Sequence, residues 1–277
     1  MVDLQAMLNW YVDAGITVAV GDVPRSLYAN NIAEDDARPM SPPPAIVSKA
    51  SLSNLPQFSS SQILDANSMK KLIPSAGNLL AQQCQTLDEL RQALQEYNDC
   101  PLKFTATNLV FSDGNPSAKV MVIGEAPGAE EDIQGKPFVG LSGQLLDRMF
   151  ATIGLSRQSN LYIANISPWR PPANRQPTSQ EIVQCLPFVQ RHIELINPQI
   201  LILVGGVSAK AVLNTNEGIM RLRGSWQNYM SPGLDAPIKC IATFHPAFLL
   251  RSPGQKAQVW QDLLLIQQEI FNISKTI

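Results

Sequence analysis

The sequence predicts an α/β protein: a single three-layer α/β/α domain around a central, mostly parallel, four-stranded sheet. Four short runs of β-branched and apolar residues indicate buried strands, because strands covered on both faces lack polar alternation. Amphipathic segments of helical period follow them, and strands that alternate with helices form parallel sheets. The predicted strands are residues 119–123, 161–165, 200–204 and 239–244, and the predicted helices are residues 143–153, 178–195, 208–213 and 256–271.

The composition is that of a globular protein with a sizeable core. The chain has 277 residues, 45% of them hydrophobic, and no apolar run reaches the roughly 18 residues of a membrane span. Asp3 and Asp13 leave the N-terminus without the basic region of a secretory signal, so we expect a cytoplasmic protein. The four cysteines are scattered without a CxxC pair, which disfavours a disulfide framework and a zinc site.

Charge is distributed unequally along the chain. Residues 1–100 carry 6 Lys/Arg and 11 Asp/Glu, a net of −5, whereas residues 101–277 carry 15 and 12, a net of +3. A surplus of three charges is too small to indicate nucleic-acid binding on its own. It does place the basic excess in the same part of the chain as the motifs described below.

The first 75 residues differ in pattern from the rest. Residues 1–20 have apolar side chains at helical spacing and predict an N-terminal amphipathic helix. Residues 21–75 are rich in Pro, Ser and Asn and predict a disordered linker. Residues 76–277 form the predicted α/β domain, in which Thr86 and Thr178 each begin a capping box ahead of a helix.

The stretch after the first predicted strand has the composition of a ligand-binding loop. The strand breaks at Gly124, and the turn GEAPG lets the backbone come close to a ligand because glycine has no side chain. The carboxylates Glu131 and Asp132 follow, and a second Gly/Pro turn directs Phe138 back toward the first. Ser142 is the predicted N-cap of the next helix. Neither GxGxxG nor GxxxxGK[ST] occurs, so dinucleotide and P-loop phosphate binding lose their main support.

Other polar segments follow the later strands. Asn165 begins the segment NISPWRPPANR, a GGVSAK turn follows the third strand, and His245 begins the segment HPAFLLR. Because the carboxyl ends of parallel strands share one edge of an open sheet, we expect Glu125, Asn165 and His245 to meet there. The second histidine, His192, lies inside a predicted helix and is interpreted as a packing or surface residue.

Three segments together resemble family 4 uracil-DNA glycosylases of the uracil-DNA glycosylase superfamily. They are GEAPGAEEDIQGKPFVG, the N-x-x-P-W-R-P-P-x-N-R segment and HPAFLLR, and the resemblance extends over about residues 86–270. It implies that the domain at residues 76–277 is catalytic. It also implies the activity: uracil is flipped out of DNA and its N-glycosidic bond hydrolysed, which releases uracil and leaves an abasic site.

The resemblance also implies roles for the pocket residues. Phe138 would stack on the base, and the Asn165 amide would pair with the O4/N3 edge of uracil. Glu131 would lie near C5 and exclude the methyl group of thymine. His245 would act as a neutral donor to uracil O2 and stabilise the leaving anion. The substrate-binding set is Gly124, Glu125, Ala126, Gly128, Phe138 and Asn165, and the catalytic set is His245, Asn165, Glu125 and Glu131.

The residue that positions the attacking water stays open at this stage. Ala126 stands where the best-known superfamily enzymes have an aspartate, which leaves Glu125, Asn174 and Glu131 as alternatives. DNA contacts are expected from the same loops, with leucines that wedge into the space of the flipped base and cations that contact phosphates. The predicted DNA-binding residues are Asn174, Arg175, Leu249, Leu250 and Arg251, with Arg170, Lys136 and Lys256 as further phosphate contacts.

One departure from the family pattern concerns its cofactor. Family 4 enzymes usually hold a [4Fe-4S] cluster on four cysteines, and cluster binding takes four thiolates. Here only Cys100 and Cys185 stand at matching positions, while Tyr97 and Trp169 occupy the other two. We therefore expect no cluster and no metal, with the two aromatic side chains packed in its place.

Two other classes of function compete with a glycosylase. One is a protein that binds uracil or abasic sites in DNA without turnover, and the other is a nucleotide hydrolase on the same sheet. Phe138, Asn165 and His245 together favour the enzyme, because a protein that only binds has no need of His245. The expected partner is uracil-containing DNA and the expected oligomeric state is a monomer. The N-terminal helix is expected to dock on the domain or on a protein partner, and no membrane association is expected.

Overall fold

A computed structural model of the protein describes residues 76–275, and these residues form a six-stranded sheet with helices on both faces. The strand order is β1-β3-β2-β4-β6-β5. The four inner strands are parallel, and the two edge strands run antiparallel to their neighbours. The strands are β1 (Asp113–Gly114), β2 (Val120–Gly124), β3 (Leu161–Asn165), β4 (Ile200–Val204), β5 (Trp226–Tyr229) and β6 (Ile238–Thr243).

The α/β class, the parallel arrangement and the four inner strands are confirmed, but the strand count of four is wrong. The two strands that the sequence pattern missed are both at the edges of the sheet. Strand β1 has only two residues, and β5 is only partly buried. Neither has the continuous apolar run that buried strands require, so periodicity gave no signal for them.

Nine α-helices lie within the described residues. They are α1 (Ala76–Gln83), α2 (Leu87–Glu96), α3 (Ala129–Gln134), α4 (Leu141–Ala151), α5 (Ser179–Ile196), α6 (Gly206–Leu213), α7 (Ile219–Leu222), α8 (Pro246–Arg251) and α9 (Lys256–Lys275). The short helix α3 was not predicted. It contains both Glu131 and Asp132, which the sequence pattern had placed in a loop.

Two hydrophobic cores cover the two faces of the sheet. Alternate residues of β2 point to opposite faces, as strand geometry requires: Val122 belongs to the core that includes residues of α4, α8 and α9, and Met121 belongs to the core that includes residues of α5 and α6. A third core lies between α1, α2 and α5 and includes the cysteines matched to the family. The three-layer prediction is therefore correct for the described residues.

The helix starts agree with the predicted capping residues in two of three cases. The Thr178 capping box is complete, since its hydroxyl accepts the Glu181 amide and the Glu181 carboxylate accepts the Thr178 amide. Thr86 also caps its helix, because its hydroxyl accepts the Glu89 amide, but its capping box is incomplete: the Glu89 carboxylate accepts the Gln85 amide and not that of Thr86. The prediction for Ser142 is wrong, because α4 begins two residues earlier, with Gly140 as its N-cap.

The predicted N-terminal helix and linker, residues 1–75, lie outside the described residues. No helix within residues 76–275 is both long and apolar enough to cross a membrane.

Candidate functional site

A cavity of about 180 Å³ opens at the carboxyl edge of the sheet, where β2, β3 and β6 end. The chain segments after these three strands form most of its wall, as the sequence predicted for this edge. Glu125, Asn165 and His245 all line it. The complete lining is Glu125, Ala126, Pro127, Gly128, Glu131, Phe138, Ser142, Asn165, Pro171, Asn174, Arg175, His245 and Ala247.

Gly124 provides the space in which the side chains of Phe138 and Asn165 lie. A β-carbon on this residue would stand 2.5 Å from Phe138 Cζ and even closer to Asn165 Oδ1. The backbone around it is fixed by β-type pairing that continues past the strand ends: the Ile166 amide donates to Gly124 O and the Ser167 amide to Glu125 O, both at 3.0 Å. The glycine is therefore needed for a close approach of side chains to the backbone.

Phe138 is held in an unusual backbone conformation beside His245. Its φ of 54° lies in the left-handed region, which costs a non-glycine residue of this kind roughly 1–2 kcal/mol. The ring is buried, and its centroid lies 5.6 Å from that of His245, with the planes 30° apart. A base sandwiched between two rings needs about 7 Å, or two van der Waals contacts. The space between the two rings is therefore too narrow for a third ring to lie between them.

Asn165 presents an unpaired polar atom to the cavity. Its side chain is buried, and Oδ1 has no hydrogen-bond partner among the described residues. An unsatisfied buried polar group costs roughly 1–3 kcal/mol, and a ligand bound in the cavity could remove this cost. The ligand that satisfies it must carry a hydrogen-bond donor.

The surroundings of His245 keep its ring neutral. Burial is the main cause that lowers the pKa of His245 to about 4, and the positive charge of Arg251 lowers it further. Its Nδ1 accepts the Ala247 amide at 3.1 Å, where His245 caps helix α8. Because Nδ1 is an acceptor, the single proton of the neutral ring is on Nε2. The ring is thus a hydrogen-bond donor at the cavity.

The two nearby glutamates have different environments. The Glu131 carboxylate accepts three backbone amides: Gly128 at 3.1 Å, Val139 at 3.0 Å and Gly140 at 2.9 Å. It therefore ties the two turns of the loop together. The Glu125 carboxylate makes no hydrogen bond within the described part of the chain, and burial raises its pKa.

Among the residues predicted to contact DNA, the structure corrects the assignment of Leu249. This side chain is fully buried in the core under helix α8, so it cannot wedge into a DNA groove. The next residue, Leu250, is 45% exposed, and Arg251 is exposed as well. The sequence pattern could not separate the two leucines, because neighbouring residues of a short helix point in different directions.

The predicted phosphate contacts differ in how much of their charge is already paired. Arg175 makes two hydrogen bonds to Glu181, at 2.7 and 2.8 Å. Arg170 donates to Asn174 Oδ1 at 2.7 Å, and both residues are on the segment beside the cavity. Lys136 is exposed and lies 4.0 Å from an Asp113 oxygen. Lys256 is almost buried.

His192 is placed as the sequence suggested, as a packing residue remote from the cavity lining. It is buried, its ring stacks on Phe111 with centroids 4.5 Å apart, and its Nε2 lies 2.8 Å from the Tyr162 hydroxyl. Burial, with a smaller contribution from Arg91, lowers its pKa to about 3. The neutral ring is therefore a packing residue between Phe111 and Tyr162.

Sequence reasoning missed Arg157, which lies in the loop after α4 and contacts the segment that carries Phe138. Its guanidinium donates to the carbonyl oxygens of Pro137 and Phe138 and to the carboxylates of Asp113 and Asp147. No motif marks it, because a single arginine in a polar loop resembles any surface charge.

Comparison with known protein families identifies the superfamily to which this chain belongs. The model of the uracil DNA glycosylase superfamily matches residues 111–264, more than half of the chain, and the protein belongs to that superfamily.

Within the superfamily, curated relatives indicate the particular group. The chain is 35% identical over 182 residues to a Type-4 uracil-DNA glycosylase of Archaeoglobus fulgidus. The matched region covers 64% of this chain and 90% of that protein. It is 36% identical over 189 residues to a Type-4 enzyme of Saccharolobus solfataricus, with 66% and 86% covered. A Type-5 uracil-DNA glycosylase of Pyrobaculum aerophilum is 30% identical over 159 residues, with 51% and 67% covered. The resemblance deduced from the three sequence segments is confirmed.

Proposed function

We propose that this protein is a DNA repair glycosylase that excises uracil from DNA and leaves an abasic site. The observation that carries the proposal is the unpaired Asn165 oxygen, buried in a cavity beside an aromatic ring and a neutral histidine. A stacking surface, a directed amide and a neutral donor are the three elements that recognition of a flipped uracil requires.

The pocket selects the base by hydrogen bonding. Asn165 Oδ1 accepts the N3–H of uracil, and its NH₂ group donates to O4. Cytosine lacks the N3–H and carries an amino group in place of O4, so both contacts would be mismatched. A site built to hydrogen-bond a substrate rejects analogues that leave its buried groups unpaired. Phe138 contributes the stacking surface.

His245 stabilises the leaving group. Cleavage of the glycosidic bond develops positive charge on the sugar and negative charge on uracil. The Nε2–H of His245, already in place and neutral, donates to uracil O2 as that negative charge grows. A protonated imidazolium could also donate to O2 from Nε2. Burial of the ring and the Ala247 amide at Nδ1 both oppose protonation, so the neutral form is the donor.

Among the three alternatives for the attacking water, we propose Glu125. Glu131 has its carboxylate oxygens occupied by three backbone amides, and Asn174 Oδ1 already accepts a bond from Arg170. Glu125 lines the cavity with no hydrogen bond to hold its carboxylate within residues 76–275. A carboxylate whose pKa is raised by burial is a better proton acceptor. Glu131 is then a positioning residue for the loop, in addition to the thymine exclusion that the family implies.

The activity is tested by cleavage of labelled oligonucleotides that contain one uracil, thymine or cytosine, followed by alkali. We expect strand breaks at uracil alone, because only uracil satisfies the Asn165 amide and lacks the C5 methyl group. If the protein binds the uracil oligonucleotide but never releases the base, it is a DNA-binding protein that recognises uracil without turnover, and the proposal of a glycosylase is wrong. Breaks at all three bases would contradict the proposed recognition.

The residues at the family's cofactor position do not fit an iron-sulfur cluster. Cys100 and Cys185 are fully buried, and the Cys185 thiol donates to Cys100 Sγ at 3.9 Å. That hydrogen bond and burial raise the pKa of Cys185 well above its ordinary value, so the pair is held as a hydrogen-bonded thiol and its acceptor in this core. Tyr97 and Trp169 are buried in the same core. No cluster of three or more metal-binding side chains occurs in the described part of the chain.

We propose that the protein works without a cluster. Protein purified without oxygen is expected to contain less than one iron and one sulfide per chain and to retain full activity after treatment with an iron chelator. A content of about four of each per chain would contradict the proposal, since four thiolates are the usual ligand set.

Three further expectations rest on the sequence pattern alone and stay predictions. They are the monomeric state, the docking of the helix at residues 1–20 on the domain or on a partner, and the cytoplasmic location.

A further inference from the structure

Arg157 forms a clamp on the chain segment that carries Phe138. Its Nη2 donates to Phe138 O at 2.9 Å, and its Nη1 donates to Pro137 O at 3.1 Å. The same guanidinium is anchored by Asp113 Oδ2 at 2.8 Å, on the edge strand β1, and by Asp147 Oδ1 at 2.8 Å, on helix α4. The clamp therefore joins the loop to the edge strand β1 and to helix α4.

The Phe138 segment needs such support because its backbone is strained. A non-glycine residue in the left-handed region persists only where its surroundings fix it more strongly than the strain opposes it. Glu131 holds the amides that follow, at Val139 and Gly140. Gly143 allows the Phe138 carbonyl to pack against helix α4, since a β-carbon there would overlap it. Arg157 supplies the remaining contact, at the Phe138 carbonyl itself.

Contact with DNA phosphate does not account for Arg157. Its side chain is only 10% exposed, and its donors are directed at two carboxylates and two backbone carbonyls. A guanidinium with a fixed, planar set of donors suits such a multi-point contact, whereas a lysine ammonium cannot reproduce it.

We infer that Arg157 is a positioning residue for uracil excision, which acts through the Phe138 carbonyl to hold the stacking ring in the pocket. The inference rests on the proposed function. According to this inference, Arg157 contributes to the rate of excision although it does not line the cavity, and its contribution depends on the Phe138 ring.

The test is a double-mutant cycle of Arg157→Gln and Phe138→Leu, measured as single-turnover excision with saturating enzyme. A misplacement of about 1 Å costs up to 100-fold in rate, so Arg157→Gln is expected to lower the rate 10- to 100-fold. In the Phe138→Leu background the same change is expected to lower it less than about 2-fold, because the ring it positions is gone. Equal losses in both backgrounds would overturn the inference, since they indicate a general structural role.

Two controls separate positioning from folding and charge. Arg148→Gln removes an exposed arginine from α4 and is expected to leave the rate within about 2-fold of wild type, and the affinity for uracil-free DNA is expected to be unchanged in Arg157→Gln. If Arg157→Gln does not fold, Asp147→Asn takes its place in the cycle. Asp147 is an exposed anchor of the clamp, and the same non-additivity with Phe138→Leu is expected.

Hydrogen exchange tests the clamp independently of excision. The Val139 and Gly140 amides are expected to exchange at least 10-fold faster in Arg157→Gln, with exchange in the central strands unchanged. Unchanged exchange at these two amides overturns the inference even if the enzyme is active. A wild-type protein that shows the protected amides but no excision contradicts the proposed function instead.

Discussion

Replacing His245 by alanine is expected to lower the single-turnover rate of uracil excision by on the order of 100- to 1,000-fold, the usual cost of losing one preorganised donor to a developing oxyanion. The affinity for uracil-containing DNA is expected to change much less, because the donor matters most as negative charge grows on the base. Stopped single-turnover reactions, with binding measured separately by fluorescence anisotropy, distinguish the two quantities. Equal losses of rate and affinity would contradict the assigned role.

The protonation state of His245 can be observed directly by NMR. The chain has only two histidines, so two sets of ring signals are expected. His245 is expected to show the Nε2–H form and to take up a proton only as the pH falls toward about 4, because burial favours the neutral ring. His192 is expected to resist protonation down to about pH 3. A His245 titration near the ordinary value of about 6.5 would contradict the neutral-donor mechanism.

Adding one methyl group at Gly124 is expected to reduce excision by on the order of 100-fold. The β-carbon of Gly124→Ala would stand 2.5 Å from Phe138 Cζ and would also overlap Asn165 Oδ1. Both recognition side chains would have to move, and displacements of about 1 Å in a catalytic site cost up to 100-fold. The measurement is kcat/KM on a uracil oligonucleotide, together with thermal unfolding, since overpacking also costs roughly 1–3 kcal/mol of stability.

Gly218→Ala is the matched control for this substitution. Gly218 has an ordinary φ of −75°, and a β-carbon there would meet no atom within 4 Å. Its activity is expected to stay within about 2-fold of wild type, with a stability change below about 1 kcal/mol. If Gly124→Ala behaved like this control, the close packing of Phe138 and Asn165 on Gly124 would not matter for recognition.

The fold was predictable from the sequence where burial alone decides structure. The inner strands β3 and β4 have the bounds that their apolar runs predicted, because a strand buried on both faces leaves a continuous apolar signature. Strands β1 and β5 lie at the edges and carry no such signature. Helix α3 is short and acidic, so its carboxylates looked like loop residues although Asp132 is in fact buried.

Site residues that directly follow a buried strand could be predicted from the sequence. Residues whose role depends on the direction of the side chain could not. Asn165 and His245 follow buried strands directly, and the topology brings both to one cavity. Leu249 and Leu250 are equivalent in sequence, yet one is in the core and the other faces solvent. Arg157 could not be found, because its role depends on two carbonyl oxygens whose positions only the folded loop defines.

The core that contains Tyr97 and Trp169 also determines what the cell must provide for this protein to mature. If the protein works without a cluster, as proposed, the hydrophobic contacts of this core are enough to complete its folding, and the domain needs neither metal delivery nor cluster assembly machinery. Such a repair enzyme would keep working during iron limitation and under oxidants that destroy iron-sulfur clusters.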